Sequence, residues 1–367
     1  MANTTLQSAK KQKNDEFYTQ LGDIEDELRY YREQFRGKVV YCNCDDPFES
    51  NFFKYFAANF NALGLKSLIT TSYKPSPVAN TQLVLQGTGV DEETLPQKGR
   101  NKVTANKFII NEVHDMDGSG AFDLTDVAEQ LKANKNNEWS PLDGEGDFRS
   151  GECVELLKQA DIVVTNPPFS LFREYIAQLV GHNKKFLIIG NKNAVTYKEM
   201  FTLMQKNKIW LGYRNINSDM WLEVPEGQKY EKIVDGKKLK HIMACWFTNL
   251  ETTKRHEKFE MYKKYSSDLY PKYDNYDAIN VNVVAEIPDD YLGAMGVPLT
   301  FIDKYNPDQF EILGITDRHN SSGLLTKKYT VDDSLKFNDL NRQGVLKING
   351  EYQMLYHRIF IKRKDTQ

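Results

Sequence analysis

Cysteine is scarce in this chain of 367 residues: there are four, none in CxxC spacing. That excludes a disulfide scaffold and a zinc ribbon, and makes free thiols in a reducing, cytoplasmic setting the simplest expectation; no metal site is expected. No apolar run approaches the ~20 residues that a membrane helix needs. The polar, lysine-rich start, Met1 to Asp15, has no apolar stretch of the kind a secretory leader uses. No membrane partner is expected. A basic excess is also missing, since 48 Lys and Arg face 51 Asp and Glu, a net charge of -3. Taken globally, that balance speaks against a nucleic-acid partner. It conceals segregation, however: Asn111 to Glu152 holds eleven acidic against three basic residues, net -8, and leaves +5 for the remainder.

What the sequence does contain is enough apolar residue, 40%, to build one large core or two smaller ones. Short apolar runs alternate with amphipathic stretches, the pattern of a βαβ protein with a largely parallel sheet. Strands are expected at Val39–Cys44, Lys66–Thr71, Asp161–Thr165, Lys185–Gly190, Ile209–Gly212 and Ile242–Thr248, and Lys107–Val113 also alternates like one. Helical spacing joins Leu171, Phe172, Tyr175, Ile176, Leu179 and Val180, and again Tyr197, Met200, Phe201 and Met204, as core-facing stripes. Two excursions interrupt the alternation, near 72–106 and 115–147, rich in Pro, Gly, Asn or acid. From about Glu251 the alternation fades into short strand-like pieces, which predicts a first domain over 1–250 and a second, smaller one over 251–367.

The stretch with the clearest chemistry is the strand Asp161–Thr165 running into Asn166-Pro167-Pro168-Phe169 and then a helix. Carboxyl ends of strands are where open α/β sheets place ligands. Two successive prolines fix the backbone, remove N–H donors and hold Asn166 extended, so the turn presents acceptors. Such a turn suits an exocyclic amine. If Asn166 Oδ1 and the Pro167 carbonyl accept the two N–H bonds of an adenine N6, that nitrogen can pyramidalise while its lone pair attacks an electrophile, and Phe169 can stack on the base. A proline-rich loop closing a strand is the bland reading.

Around this turn the chain resembles the EcoRI-type adenine-N6 DNA methyltransferases over nearly its whole length. The matching stretches are Asn14-Asp-Glu-Phe-Tyr-Thr19, Val39-Val-Tyr-Cys-Asn-Cys-Asp-Asp-Pro47 with Ser50-Asn-Phe-Phe-Lys-Tyr-Phe56, Gly146-Asp-Phe-Arg-Ser150, the Asn166–Phe169 turn with its helix, and Tyr270-Pro-Lys-Tyr-Asp-Asn-Tyr-Asp-Ala-Ile-Asn-Val281. The resemblance implies a Rossmann-like S-adenosylmethionine-dependent methyltransferase fold, with a mostly parallel seven-stranded sheet and a C-terminal target-recognition region. It implies S-adenosyl-L-methionine as cofactor, double-stranded DNA as partner, and transfer of a methyl group to N6 of an adenine flipped out of the duplex. A cytoplasmic, DNA-associated enzyme of prokaryotic or phage type follows, restriction-associated or solitary, with no obligate protein partner evident.

Residue by residue, the resemblance gives catalysis to Asn166, Pro167, Pro168 and Phe169. It gives cofactor binding to Phe17, Tyr18 and Thr19, to Asp45, Asp46 and Pro47 at the end of the first strand, and to Asp147 and Phe148, the aspartate for the cofactor's adenine amine and the ring for its face. Gln20 stands where related enzymes often have proline, and Phe48-Glu-Ser-Asn-Phe52 lacks the glycine pair usual after the first strand, with Ser50 as the cap of the next helix. After the second strand, Thr70, Thr71 and Ser72 stand where a ribose-binding acid is expected, so that contact is unassigned.

Asp115 to Asp126 has the spacing of a calcium loop, with Asp in place of the final Glu; a solvated acidic turn is the stronger reading. DNA-facing surfaces are expected at Lys184–Lys208, net +5, and Glu231–Lys264, net +4, and the series Tyr262, Tyr265, Tyr270, Tyr273 and Tyr276 among lysines suits backbone contacts, with core packing as the bland reading. Base-reading residues cannot be singled out. The alternatives are methylation of an RNA adenine or a protein glutamine, which similar turns serve, and a catalytically silent methyltransferase-like DNA-binding protein.

Overall fold

The computed structural model describes residues 18–44, 50–72, 105–115, 136–224, 227–319 and 322–364. The chain divides into two compact units: one comprises residues 1–192 and 212–250, the other 193–211 and 251–367. The breaks follow Lys192, Leu211 and Leu250, so that the second unit takes in 193–211 as well as 251–367.

In the first unit, the apolar runs contribute seven strands of a mixed sheet. These are β1 (Val39–Cys42), β2 (Ser67–Thr71), β3 (Asn106–Ile110), β4 (Glu138–Pro141), β5 (Ile162–Thr165), β6 (Lys185–Asn191) and, after a small antiparallel sheet of β7 (Met220–Glu223), β8 (Lys232–Val234) and β9 (Lys237–Ile242), β10 (Ala244–Thr248). The order is β4-β3-β2-β1-β5-β6-β10. The fold is α/β with a mixed sheet, parallel at its centre and with antiparallel pairs towards its sides. β2, β1, β5 and β6 form parallel pairs; β3 and β10 run opposite to them, and β4, antiparallel to β3, runs in their direction again. An apolar run records burial and not direction. For β10 the direction follows from where the small sheet begins: only Met243 separates β9 from β10, and Ala244 enters opposite Asn191, the last residue of β6, so β10 can only run back. The expected strand Ile242–Thr248 is thus a corner between two strands.

The central strands are apolar throughout, as expected of strands covered on both faces. Val40, Val163, Val164, Ile188 and Ile189 are fully enclosed. Helices α1 (Leu21–Leu28), α2 (Asn51–Ala58), α3 (Gly151–Gln159) and α4 (Phe172–Gly181) accompany them. Ser50 caps α2 as anticipated, its Oγ accepting from Phe52 N at 3.1 Å and Phe53 N at 3.4 Å. Phe172, Tyr175, Ile176 and Leu179 form the buried stripe of α4. Phe172 packs against β6 at Gly190, where a Cβ would overlap the ring.

The second unit holds a four-stranded sheet in the order β11 (Ile279–Asn280), β12 (Met295–Pro298), β16 (Arg358–Arg363), β13 (Phe310–Ile315), and a separate hairpin of β14 (Val345–Ile348) and β15 (Glu351–Met354). The helix Lys198–Gln205 lies against β13, with Gln205 Nε2 donating to Leu313 O at 2.7 Å. That contact accounts for the assignment of 193–211 to this unit.

Candidate active site

The sheet order makes a crevice. The chain leaves β1 to pair β2 on one side and later pairs β5 on the other, so the carboxyl ends of β1 and β5 form the switch point at which open α/β sheets bind ligands. Asn43 follows β1 and Asn166 follows β5.

At the end of β5, Thr165 is fully buried, Asn166 half-buried, Pro167 buried, and Pro168 and Phe169 half-buried. Pro168 opens a 3-10 turn over Phe169–Leu171, its carbonyl accepting from Leu171 N at 3.0 Å. Among the described residues, no hydrogen bond engages the Pro167 carbonyl. Phe169 rests against the apolar core of the first unit. The turn therefore offers an amide side chain, a carbonyl oxygen and an aromatic ring at one strand end.

At the end of β1, Asn43 is 1% exposed. Its Oδ1 accepts from the Tyr175 hydroxyl, while its Nδ2 has no partner among the described residues. A buried amide donor without an acceptor costs on the order of 1–3 kcal/mol. Thr19 repeats the signal: it is buried, its Oγ1 has no partner among the described residues, and its carbonyl accepts from Asn51 Nδ2 at 2.7 Å, at the start of α2. Tyr18 pairs with Glu223 through two backbone bonds of 2.9 Å. Phe17, Asp45, Asp46 and Pro47 lie outside the described residues.

Gly146-Asp147-Phe148 reaches the neighbouring strand end. Gly146 has φ +73°, and a Cβ there would overlap the Ser72 carbonyl oxygen just past β2, so glycine is required for the approach. Asp147 Oδ1 accepts from Arg149 N at 2.8 Å and Nε at 2.9 Å, and Oδ2 from Nη2 at 2.6 Å; Arg149 Nη1 also holds Glu174 at 2.8 Å. Burial pushes the Asp147 carboxyl upward, but the bonds from Arg149 outweigh it and hold the group below the usual range. Three of roughly four lone-pair directions are thereby used, leaving about one for an N–H donor. Phe148 is buried, edge-on to Tyr175 with ring centroids 5.0 Å apart, and its carbonyl accepts from Gln178 Nε2 at 3.0 Å.

Comparison with known proteins decides the family. The model of the adenine-specific methyltransferase EcoRI family matches residues 5–364. The Type II methyltransferase M.EcoRI of Escherichia coli is 46% identical over 319 residues, covering 85% of this chain and 89% of that protein. The Type II methyltransferases M.MgeORF184P of Mycoplasma genitalium and M.MpnI of Mycoplasma pneumoniae are 37% and 35% identical, over 97% and 98% of this chain and 98% of each relative. No solved structure matches the chain significantly. The chain belongs to the EcoRI-type adenine-specific methyltransferase family. It is a DNA adenine methyltransferase, and its reactants are DNA and a methyl donor.

Several residues of the methyltransferase differ from what the sequence suggested. The hydroxyls after β2 are committed to the fold: Thr70 Oγ1 donates to Cys42 O at 3.1 Å, Thr71 Oγ1 lies 3.0 Å from the Tyr41 hydroxyl, and Ser72 Oγ accepts from Asn106 N at 2.9 Å. None replaces the missing ribose-binding acid. In the tyrosine series, Tyr270, Tyr273 and Tyr276 are core residues, their hydroxyls bonded to Glu286 O, Asn280 Oδ1 and Asp317 O, so phosphate contact is closed to them; Tyr262 is 80% exposed. The calcium-like loop 115–126 lies outside the described residues except for Asp115, and among the described residues no cluster could hold a metal ion. No helix among the described residues is long and apolar enough to cross a membrane.

Asn43, Tyr175 and Arg149 escaped the sequence reading. Asn43 lies between Cys42 and Cys44, where nothing in the local sequence marks its burial. Tyr175 reads as one more apolar stripe position, although a fully buried tyrosine needs a partner for its hydroxyl.

Proposed function

We propose that this methyltransferase uses S-adenosyl-L-methionine to methylate N6 of an adenine flipped out of double-stranded DNA, as the modification enzyme of a restriction-modification pair or as a solitary enzyme. The observation that supports the reading is the buried Asn43 Nδ2, unpartnered among the described residues, just past β1 and beside the β5 end that the Asn166–Phe169 turn follows, with Thr19 Oγ1 a second such group at the start of α2. The polar groups and half-enclosed rings of this crevice fit a nucleoside-bearing zwitterion. When bound, S-adenosylmethionine supplies a methyl on a sulfonium whose departure leaves a neutral thioether, so neither metal nor strong general base is required. Thr19 with Phe17 and Tyr18, Asn43 with Asp45, Asp46 and Pro47, and Asp147 with Phe148 would hold it in a Rossmann-like fold.

Asn166 Oδ1 and the Pro167 carbonyl then accept the two N–H bonds of the flipped adenine. These bonds strengthen as the nitrogen pyramidalises and gains positive charge, so they stabilise the transition state more than the ground state. Phe169 stacks on the base and offsets part of the few kcal/mol that extrusion costs, while Pro168 fixes the turn. Residues 251–367 would read the target. Three relatives named Type II methyltransferases support the restriction-modification role.

Calorimetric titration of S-adenosylmethionine, run beside single-turnover methyl transfer, tests the assignment. Asn166→Ala should bind the cofactor like wild type and lose roughly 10²–10³-fold in turnover. Asn43→Ala should lose cofactor affinity with folding intact. The reverse pattern would contradict the assignment of roles.

A further inference from the structure

The antiparallel ribbon of β8 and β9 has no role in the site described above, yet its sequence and placement are specific. Val234 pairs with Lys237 across Asp235 and Gly236, and those two residues have φ +49° and +77°. Positive φ at both central positions is the mark of a type I′ turn, which closes a tight, twisted two-residue hairpin. The ribbon is pinned at its base: Met220, Leu222 and Ile242 join the apolar core, and Leu239 is buried. Towards the turn the burial stops. Ile233 is 56% exposed and Val234 43% exposed, and because successive side chains alternate, these two residues point to opposite faces. A tip that exposes apolar side chains on both faces is not packed on its own unit.

The charge is as uneven as the burial. Lys232 to Ile242 contains Lys232, Lys237, Lys238 and Lys240 against Asp235 alone. Lys237 and Lys238 are the cross-strand partners of Val234 and Ile233, so the last two residue pairs place two cations beside two apolar side chains. Lys237 has Glu223 at 3.7 Å; the Lys232 ammonium lies 3.5 Å above the Trp221 ring, and that of Lys238 5.8 Å from Tyr230. The ribbon also starts at the edge that carries the catalytic turn. Ala244, one residue beyond Met243, pairs with Asn191 at the carboxyl end of β6, and β6 runs parallel beside β5, whose end is followed by Asn166.

We infer that the β8–β9 ribbon is a DNA-contacting element of the catalytic unit, entering the major groove of the substrate duplex tip first, so that Ile233 and Val234 on its two faces meet base edges near the groove floor and their same-face partners Lys238 and Lys237 reach the phosphates of the groove walls. The inference rests on the reading of duplex DNA as substrate. The major groove, about 12 Å wide, admits a two-stranded ribbon, and apolar side chains there read thymine methyl groups. Target contact is then not confined to 251–367.

The test uses full-length protein and a duplex that wild type is shown to methylate, with binding measured by anisotropy across a salt series. Lys237→Gln with Lys238→Gln should lower the slope of log affinity against log salt by about 2, near 0.9 for each lost phosphate contact, and Arg at both positions should restore it. Ile233→Ser with Val234→Ser should weaken binding to that duplex at unchanged slope. Both pairs should keep wild-type cofactor affinity and thermal midpoint. A photocrosslinker on Val234→Cys should label the duplex. Wild-type slopes and affinities in both variants, or no crosslink, would overturn the inference while leaving the methyltransferase reading intact. A wild type that methylates RNA or protein in place of duplex DNA would overturn both.

Discussion

Gly146 holds its place by having no side chain. At φ +73°, with the Ser72 carbonyl where a Cβ would stand, Gly146→Ala combines left-handed strain with a backbone clash. The expected cost is at least about 2 kcal/mol, read as a lower urea midpoint, together with loss of cofactor affinity because Asp147 and Phe148 move with it. A variant of wild-type stability would show that this loop is not tied to β2. Asn43 carries the companion lesson. Its polar side chain was visible in the sequence but its burial was not, and the unpartnered Nδ2 exists only once Tyr175, 132 positions later, engages Oδ1. The Asn166–Phe169 turn was legible because two prolines restrict the backbone wherever they occur. A hydrogen bond across the sheet leaves no such local mark.

At the scale of elements, α1 is fastened by a carboxylate that reads as solvent-facing in Leu-Gly-Asp-Ile-Glu-Asp-Glu-Leu. Glu27 is fully buried and accepts from the Tyr31 hydroxyl at 2.8 Å, Tyr213 N at 2.5 Å and Arg214 N at 2.9 Å. Gly212 makes room for it, since a Cβ there would overlap Glu27 Oε1. Glu27→Ala removes the acceptor of the buried Tyr31 hydroxyl and of the half-buried Arg214 N, while Tyr213 N keeps the Tyr31 hydroxyl at 3.1 Å; the change should cost on the order of 1–3 kcal/mol, seen as a fall in the urea midpoint, and an unchanged midpoint would mean that water replaces the carboxylate freely. In the second unit, the turn Thr253–His256 is held by Lys254 to Asp303 at 2.9 Å and by the His256 ring between Asp308 at 2.8 Å and Glu251 at 3.4 Å. The hydrogen bond to Asp308 raises the His256 pKa against a smaller opposing effect of burial. A raised pKa gives stability that is complete below the unfolded value, about 6.5, and is lost as pH rises through the folded one. The thermal midpoint should therefore show a fall above about pH 6.5 that His256→Gln lacks. Identical pH profiles for the two proteins would contradict the contact.

For the whole molecule, the charge balance misled at first reading and informed once divided. The alternation of apolar runs announced an α/β chain, and the change in texture near Glu251 suggested a second domain. Neither could announce the antiparallel flanks of the sheet or the docking of 193–211, because strand direction and long-range packing are set by contacts that composition does not record. The net charge of -3 is the sum of an acidic segment and a basic remainder. DNA affinity should thus fall steeply with ionic strength despite the acidic balance; a flat salt dependence would show that the basic segments do not converge on one surface. Tritiated methyl transfer from S-adenosylmethionine, offered duplex DNA, RNA and protein separately, followed by digestion to nucleosides or amino acids, should place the label in N6-methyladenine of DNA. Label in RNA or glutamine, or none in DNA, would contradict the account.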